Sequence, residues 1–308
     1  MYYRTLGRTG LSVSEIGIGG AVYAGRAHGT FDERRAIAAI RMALESGINY
    51  IDTSRHYGPS EEIIGKALTG YKAECIICTK LAPRPAMTVA ETIAGVEASL
   101  KTLRRPHIDI LLAHDIQQGG SGVQAVEAIL RPGGMVDGFR QLQREGRVRF
   151  IGVSGRVDEV TAAMKTGEFD VVLSFNRFNL LDWSAESELL PTAKTHNVGV
   201  TMGGVFYQGF LSLELPVIEA RAAQGMFWDW DMTKAQRDKV LSRLEKLNAL
   251  VDADLAALRQ LAIRFALSEP RISVGVLGMK SVAEVTENLA AAQASVPDAK
   301  QIEQLKML

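Results

Sequence analysis

Residues 75–114 read CIICTKLAPRPAMTVAETIAGVEASLKTLRRPHIDILLAH, and this stretch decides the fold. It opens with Cys75-Ile76-Ile77-Cys78-Thr79, an apolar, β-branched run of the kind found in strands covered on both faces. Thr88 then offers an N-cap oxygen to a segment in which Ile93, Val96 and Leu100 recur at the spacing of one helix face. Ile108-Asp109-Ile110-Leu111-Leu112 follows as a second apolar run. Strand, helix and strand in this order form a βαβ crossover, which sets the two strands parallel.

The same alternation continues in both directions. Further strand-like runs lie at Glu15-Ile16-Gly17-Ile18, Tyr50-Ile51, Phe150-Ile151-Gly152-Val153, Val171-Val172-Leu173, Val198-Gly199-Val200 and Val274-Gly275-Val276-Leu277. Helical spacing recurs at Ala36-Ile37-Ile40-Ala43-Leu44, Phe139-Leu142 and Leu258-Leu261-Ala262-Phe265. Asp32 is placed as an N-cap, and Gly47 and Gly146 stand where helices should end. Eight such strands alternating with helices predict an α/β fold, a closed (β/α)8 TIM barrel, over residues 1–308 as one domain. A doubly wound open sheet is the alternative arrangement.

Two segments break the alternation. Gly7 and Gly10 in YRTLGRTGLSVSEI suit the turn of an N-terminal β-hairpin under the barrel floor. The segment from Phe206 to Asp254 is longer than a barrel loop requires, and carries QGMFWDWDM and the charged helix KAQRDKVLSRLEKL. An insertion after strand seven is expected to help build a substrate pocket.

Composition narrows the function classes. The 308 residues are 47% hydrophobic and 23% charged, a globular balance, and 35 basic residues offset 35 acidic ones. This charge balance carries no footprint for nucleic acid or an anionic membrane. No basic stretch followed by an apolar run opens the chain, and no apolar run is long enough to span a bilayer, so the expected location is the cytoplasm. Oligomeric state is left open. Cys75 and Cys78 form a C-x-x-C, but residues three apart in a strand point to opposite faces, and no second Cys/His pair stands at metal-ligand spacing. No metal site is expected. His28, His56, His107 and His196 lie among polar or turn residues and read as surface groups.

Chemistry is expected where barrel strands end, at the C-terminal rim. Asp52, Lys80 and His114 directly follow the second, third and fourth strands, with Tyr57 five residues beyond Asp52. A phenol titrates near ~10, and an adjacent ammonium favours its phenolate and lowers that value, which is the task expected of Lys80. Asp52 would balance the buried lysine, and His114 would orient a substrate oxygen. Each residue alone has an ordinary structural reading: Asp52 as a cap, Tyr57 as packing, Lys80 as a loop charge, His114 as a satisfied histidine. Their shared rim makes them a candidate proton-transfer site.

Together, TLGRTGLSVSEIGIGG, INYIDTSRHYGPSEEIIGKAL, TKLAPR, DILLAHD and VGVLGMKSVAEVTENLAAA resemble the aldo-keto reductase superfamily across nearly the whole chain. The resemblance implies a (β/α)8 barrel that uses NAD(P)(H) without a Rossmann domain, and a catalytic tetrad at Asp52, Tyr57, Lys80 and His114. AHDIQQG, FDVVLSFNRFNLLD and LLPTAKTHNVGV are most similar to the aldose dehydrogenase branch, which includes L-galactose, L-fucose and D-threo-aldose 1-dehydrogenases.

The resemblance also implies cofactor positions. Ser154 falls where the nicotinamide carboxamide is bound, but Gly155 stands where many relatives have asparagine. Ser174 falls at or near the usual glutamine, and Gly203 replaces the ring normally stacked on nicotinamide, for which Phe206 or Tyr207 would compensate. Gly278, Lys280, Ser281, Glu287 and Asn288 match the adenosine end, where amides at a helix start suit phosphate. Ser281 and Glu284 also read as a capping box. Lys280 suits a 2′-phosphate and Glu284 repels one, which leans the expectation from NADP towards NAD. The implied activity is hydride transfer between nicotinamide and an aldose or other small carbonyl or alcohol, with Tyr57 as general acid/base and Tyr23, Phe227 and Trp228 as apolar walls. Altered Gly155 and Gly203 motivate an alternative, a nicotinamide-binding regulatory or scaffold subunit resembling potassium-channel β subunits. A metal-dependent barrel isomerase or hydrolase lacks the necessary cluster of ligands.

Overall fold

The computed structural model describes residues 1–24, 31–224 and 232–308. Ten strands run in chain order: β1 (Tyr3–Thr5), β2 (Ser12–Ser14), β3 (Ile16–Gly19), β4 (Tyr50–Asp52), β5 (Ile76–Leu81), β6 (Ile108–Ala113), β7 (Val148–Ser154), β8 (Val171–Phe175), β9 (Gly199–Gly203) and β10 (Val274–Gly278). Strands β3 to β10 close into an eight-stranded barrel in the order β10-β3-β4-β5-β6-β7-β8-β9, every neighbour parallel. All eight apolar runs predict barrel strands correctly, and the open-sheet alternative is excluded by closure.

Between the strands lie α1 (Glu33–Glu45), α2 (Ser60–Leu68), α3 (Val89–Leu103), α4 (Val123–Leu130), α5 (Met135–Arg144), α6 (Val157–Lys165), α7 (Leu189–His196), α8 (Leu215–Ala223), α9 (Lys234–Leu250) and α10 (Leu255–Leu267). α11 (Val282–Gln293) and α12 (Ala299–Met307) follow the last strand. Asp32 caps α1 by accepting from the Arg35 amide, and Thr88 with Glu91 makes a reciprocal capping box on α3. Gly47 and Gly146 take positive φ just beyond α1 and α5, the left-handed exit that glycine allows.

Strand alternation sorts the barrel residues into two layers. Tyr50, Cys78, Ile110, Leu112, Val171, Leu173 and Val274 pack in the interior, while Ile51, Ile77, Leu111 and Val172 pack against the helices. Each fully buried aliphatic side chain contributes about 1.5–3 kcal/mol. Cys75 joins the helix-side cluster and Cys78 the interior, and both are free thiols.

The hairpin of β1 and β2 lies under the barrel. Leu6 and Val13, both fully buried, join the interior cluster from below. Gly7 has φ +48°, and a Cβ there would stand 2.2 Å from the Gly199 nitrogen, so only glycine permits this approach of hairpin to β9. Arg4 ties the hairpin down by donating to the carbonyls of Leu267, Glu269 and Ile272 and to Glu15. In the insertion after β9, the Arg243 guanidinium on α9 donates to Leu180 O and Leu305 O and lies 4.5 Å from the Trp183 ring centre. The charged helix is therefore fastened between the β8 loop and α12.

Candidate active site

Asp52 and Lys80 sit two residues beyond Tyr50 and Cys78, so alternation points them inward one layer above, at the C-terminal rim. Lys80 Nζ donates to Asp52 Oδ1 at 2.6 Å, to Asp52 Oδ2 at 2.7 Å and to the Thr53 carbonyl at 2.9 Å, with no solvent exposure of its side chain. The turn that follows, closed by Tyr57 N donating to Ser54 O at 3.0 Å, brings the Tyr57 ring back over the rim. Lys80 Nζ is 4.9 Å from that ring's centre, and the His114 ring meets Tyr57 edge-on at 5.4 Å. Thus Asp52, Tyr57, Lys80 and His114 form one contiguous group.

Electrostatics assign their protonation states. Burial pulls the Lys80 ammonium down, but the Asp52 carboxylate, assisted by Tyr57, outweighs it and holds the lysine above its ordinary value. Burial pushes the part-exposed Tyr57 phenol up to about 12, although Lys80 pulls the other way. From the sequence, Lys80 was expected to win; low-dielectric surroundings and the neighbouring carboxylates Asp52 and Asp115 outweigh one ammonium already shared with Asp52. His114 is held well below its ordinary value by burial, then by Lys80 and His56, and so is neutral near pH 7. Ser54 Oγ lies 3.0 Å from its Nδ1, and Asp115 Oδ2 lies 3.5 Å from its Nε2.

The sequence analysis did not single out several of these neighbours. Ser54 bonds the histidine ring and Asp115 lies beside it, while His56, exposed as the sequence suggests, also sets its ring 5.8 Å from that of His114. Their adjacency in chain to Asp52 and His114 was the available signal. A cavity of about 470 Å³ lies beyond His56 towards α3, lined also by Arg55, Leu81, Ala82 and Arg84. Leu81 belongs to the helix-side cluster, so this cavity is on the outer side of β5.

The remaining residues fall into three groups. At the end of β7, Ser154 Oγ accepts from the Asp115 amide at 3.0 Å, and a Cβ on Gly155 would meet Gln117 Oε1 at 3.0 Å. Gln117 therefore takes up the space a side chain at 155 would enter. Ser174 shares its register with Val172 rather than with inward Leu173 and Phe175, so it faces the helices. Gly203 ends β9 beside Phe175. Tyr207 is buried and donates to Met232 Sδ at 3.4 Å, and Phe206 packs between the outer clusters.

At the far end, Ser281 caps α11 by accepting from the Glu284 amide at 3.3 Å. Glu284 does not complete the box. Its carboxylate accepts from the Lys280 amide at 2.7 Å, one residue before the cap. Glu287 pairs with Arg259, and Asn288 is buried. Tyr23, placed from sequence on the substrate wall, is fully buried and donates to the Met279 carbonyl at 2.6 Å, so it supports the α11 end instead. Phe227 and Trp228 lie outside the described residues. Among the described residues, no group of three or more metal-ligating side chains is assembled, and no helix is long and apolar enough to cross a membrane.

This rim fits a nicotinamide dinucleotide. Gly203, Gly278 and Gly19 end three adjacent strands; Val22 and Val276 crowd the last two, Gly203 is open, and the arc runs to the N-terminus of α11, a helix start of the kind that suits a diphosphate. Beside it, Gln117 Oε1 and both amide atoms of Asn176 are buried without a hydrogen-bond partner, the polar capacity a carboxamide would meet.

Residues 15–308 match the aldo/keto reductase family, and the chain belongs to that family of NAD(P)-dependent oxidoreductase enzymes. It is 30% identical to L-galactose dehydrogenase of Arabidopsis thaliana, covering 94% of this chain and 87% of that protein. It is 26% identical to D-threo-aldose 1-dehydrogenase of a Pseudomonas species, covering 94% and 92%. In structure it resembles the holo form of aldo-keto reductase AKR11C1 from Bacillus halodurans, with a TM-score of 0.76 and 23% identity over 100% of this chain and 96% of that one, a likeness of fold.

Proposed function

For this aldo/keto reductase we propose a reversible oxidoreduction of an aldose or similarly small carbonyl or alcohol, with Tyr57 as general acid and base. The bidentate Lys80–Asp52 pair beneath the Tyr57 ring is the observation that carries this reading. Bound nicotinamide supplies the hydride in reduction and accepts it in oxidation. In reduction the Tyr57 hydroxyl donates its proton to the carbonyl oxygen as that oxygen gains negative charge. The Lys80 ammonium then stabilises the phenolate, and Asp52 keeps Lys80 charged and in place. Neutral His114, held by Ser54, orients the substrate oxygen without adding a second positive charge. In oxidation the same groups run in reverse.

Gly203, Gly278, Ser281 and the first turn of α11 would hold the dinucleotide, with Ser154, Gly155 and Gln117 at the carboxamide end. Lys280, Glu287 and Asn288 belong to the adenosine end, with Glu287 acting through Arg259. The Glu284 carboxylate at this helix start opposes a further phosphate and supports NAD(H) over NADP(H). The names of the two dehydrogenase relatives support a sugar substrate.

A panel of aldoses and aldehydes, assayed with both cofactors in both directions, tests the proposal. The expected result is turnover of at least one sugar, and a loss of about 10²–10⁴-fold in kcat for Tyr57→Phe with cofactor affinity retained. Cofactor binding with no turnover across the panel would favour the scaffold reading instead.

A further inference from the structure

The cavity of about 470 Å³ outside β5 has no part in the chemistry proposed above. Its floor is apolar, formed by Leu81 and Met87, both buried, with the small residue Ala94 of α3 beside them. Leu81 belongs to the helix-side layer, so the floor is turned away from the barrel interior. Protein interiors are close-packed, and an opening of this size between a strand and a helix is large enough for a small organic molecule.

The edge of the cavity is charged. Ser54 Oγ accepts from the His56 amide at 3.1 Å, and Ser54 O accepts from the Tyr57 amide at 3.0 Å, a turn that presents Arg55 at the opening. Among the described residues Arg55 has no ion-pair partner. Glu61, whose carboxyl feels its charge, is buried and accepts from Thr79 Oγ1 at 2.7 Å. Arg84, also at the edge, reaches Glu91 Oε1 only at 3.5 Å, and both side chains are exposed, an arrangement that holds little energy. The other Glu91 oxygen accepts from the Thr88 amide and hydroxyl at the start of α3. Two guanidiniums against one carboxylate leave this edge positive.

We propose that the cavity is a ligand site separate from the barrel mouth, and that it takes a small organic monoanion, a carboxylate on an apolar body. Arg55 and Arg84 hold the carboxylate, since the forked donors of a guanidinium match its two oxygens. The apolar body covers Leu81 and Met87, and the area so removed from water adds to the affinity. His56 lines the same cavity and sets its ring 5.8 Å from that of His114, so this site and the catalytic group share one wall.

Calorimetric titration of the intact protein with 2-naphthoate, with its uncharged amide and with inorganic phosphate tests the proposal. The naphthoate should bind with a dissociation constant of about 1 mM or below, and the other two at least about tenfold more weakly. Arg55→Gln removes charge and Ala94→Phe fills the cavity; each should weaken naphthoate by about tenfold or more, while His114→Gln leaves it within about twofold. Ala94 is exposed on α3, so its replacement carries the test if the Arg55 variant is unstable. No binding, equal binding of the amide or of phosphate, or unchanged binding in Arg55→Gln and Ala94→Phe would overturn the proposal. A loss in His114→Gln as large as in those two variants would also overturn it, by seating the carboxylate at the barrel mouth. None of these outcomes bears on the oxidoreductase reading, because no nucleotide or sugar enters the titration.

Discussion

Lys80 and Asp52 meet through both carboxylate oxygens, at 2.6 and 2.7 Å, with the lysine side chain wholly removed from solvent. Removing one partner strands the other charge in the interior. Lys80→Met or Asp52→Leu should each cost about 3–5 kcal/mol in urea unfolding, whereas the double variant should be more stable than either single one. Simple addition of the two losses would show that the pair is not the source of the effect.

Tyr57 is raised to about 12, so its hydroxyl keeps the proton that the proposed reduction requires of it. The reductive kcat should therefore be flat from about pH 6 to 9 and decline only in more alkaline solution. A steep fall near pH 7 would assign the acid to another group.

His114 is neutral in the fold but gains a proton near its ordinary value of 6.5 when unfolded. Its folded value is depressed, so the unfolded state binds more protons below that pH. Stability is present above 6.5 and is lost as pH falls towards the folded value, by up to about 1.4 kcal/mol per unit. His114→Gln should flatten the pH dependence of the unfolding midpoint between pH 7 and 5. An unchanged slope would remove His114 from this linkage.

The Glu284 carboxylate occupies the Lys280 amide at the start of α11. Glu284→Gln should shift the ratio of kcat/KM for NADP(H) over NAD(H) upwards by about tenfold, through loss of one like charge near a 2′-phosphate. Equal effects on both cofactors would point to a purely structural cap.

The barrel was legible because buried parallel strands write themselves as short apolar runs, and each of the eight carries enough Val, Ile or Leu to be seen. That Asp52, Tyr57, Lys80 and His114 lie together was legible because position at or just past a strand end gave four unrelated residue types one location. Ser174 and Phe175 show where this fails. Alternation fixes that adjacent residues point to opposite faces, but not which one points inward, and that phase comes from contacts with Gly203 and the interior cluster. Gln117 was invisible for another reason, since its approach to Gly155 depends on how the β6 loop folds over β7. The direction of the Tyr57 shift was missed because residue types reveal charges but not the depth at which they are buried.

The hairpin beneath the barrel bears on proton traffic. With Leu6 and Val13 filling the floor, the barrel interior is closed from below. The part-exposed Tyr57 meets solvent at the rim, on the side from which the proposed reactants would come. A ligand seated against Tyr57 would stand between that hydroxyl and bulk water, so occupancy of the rim and proton supply to it would be linked.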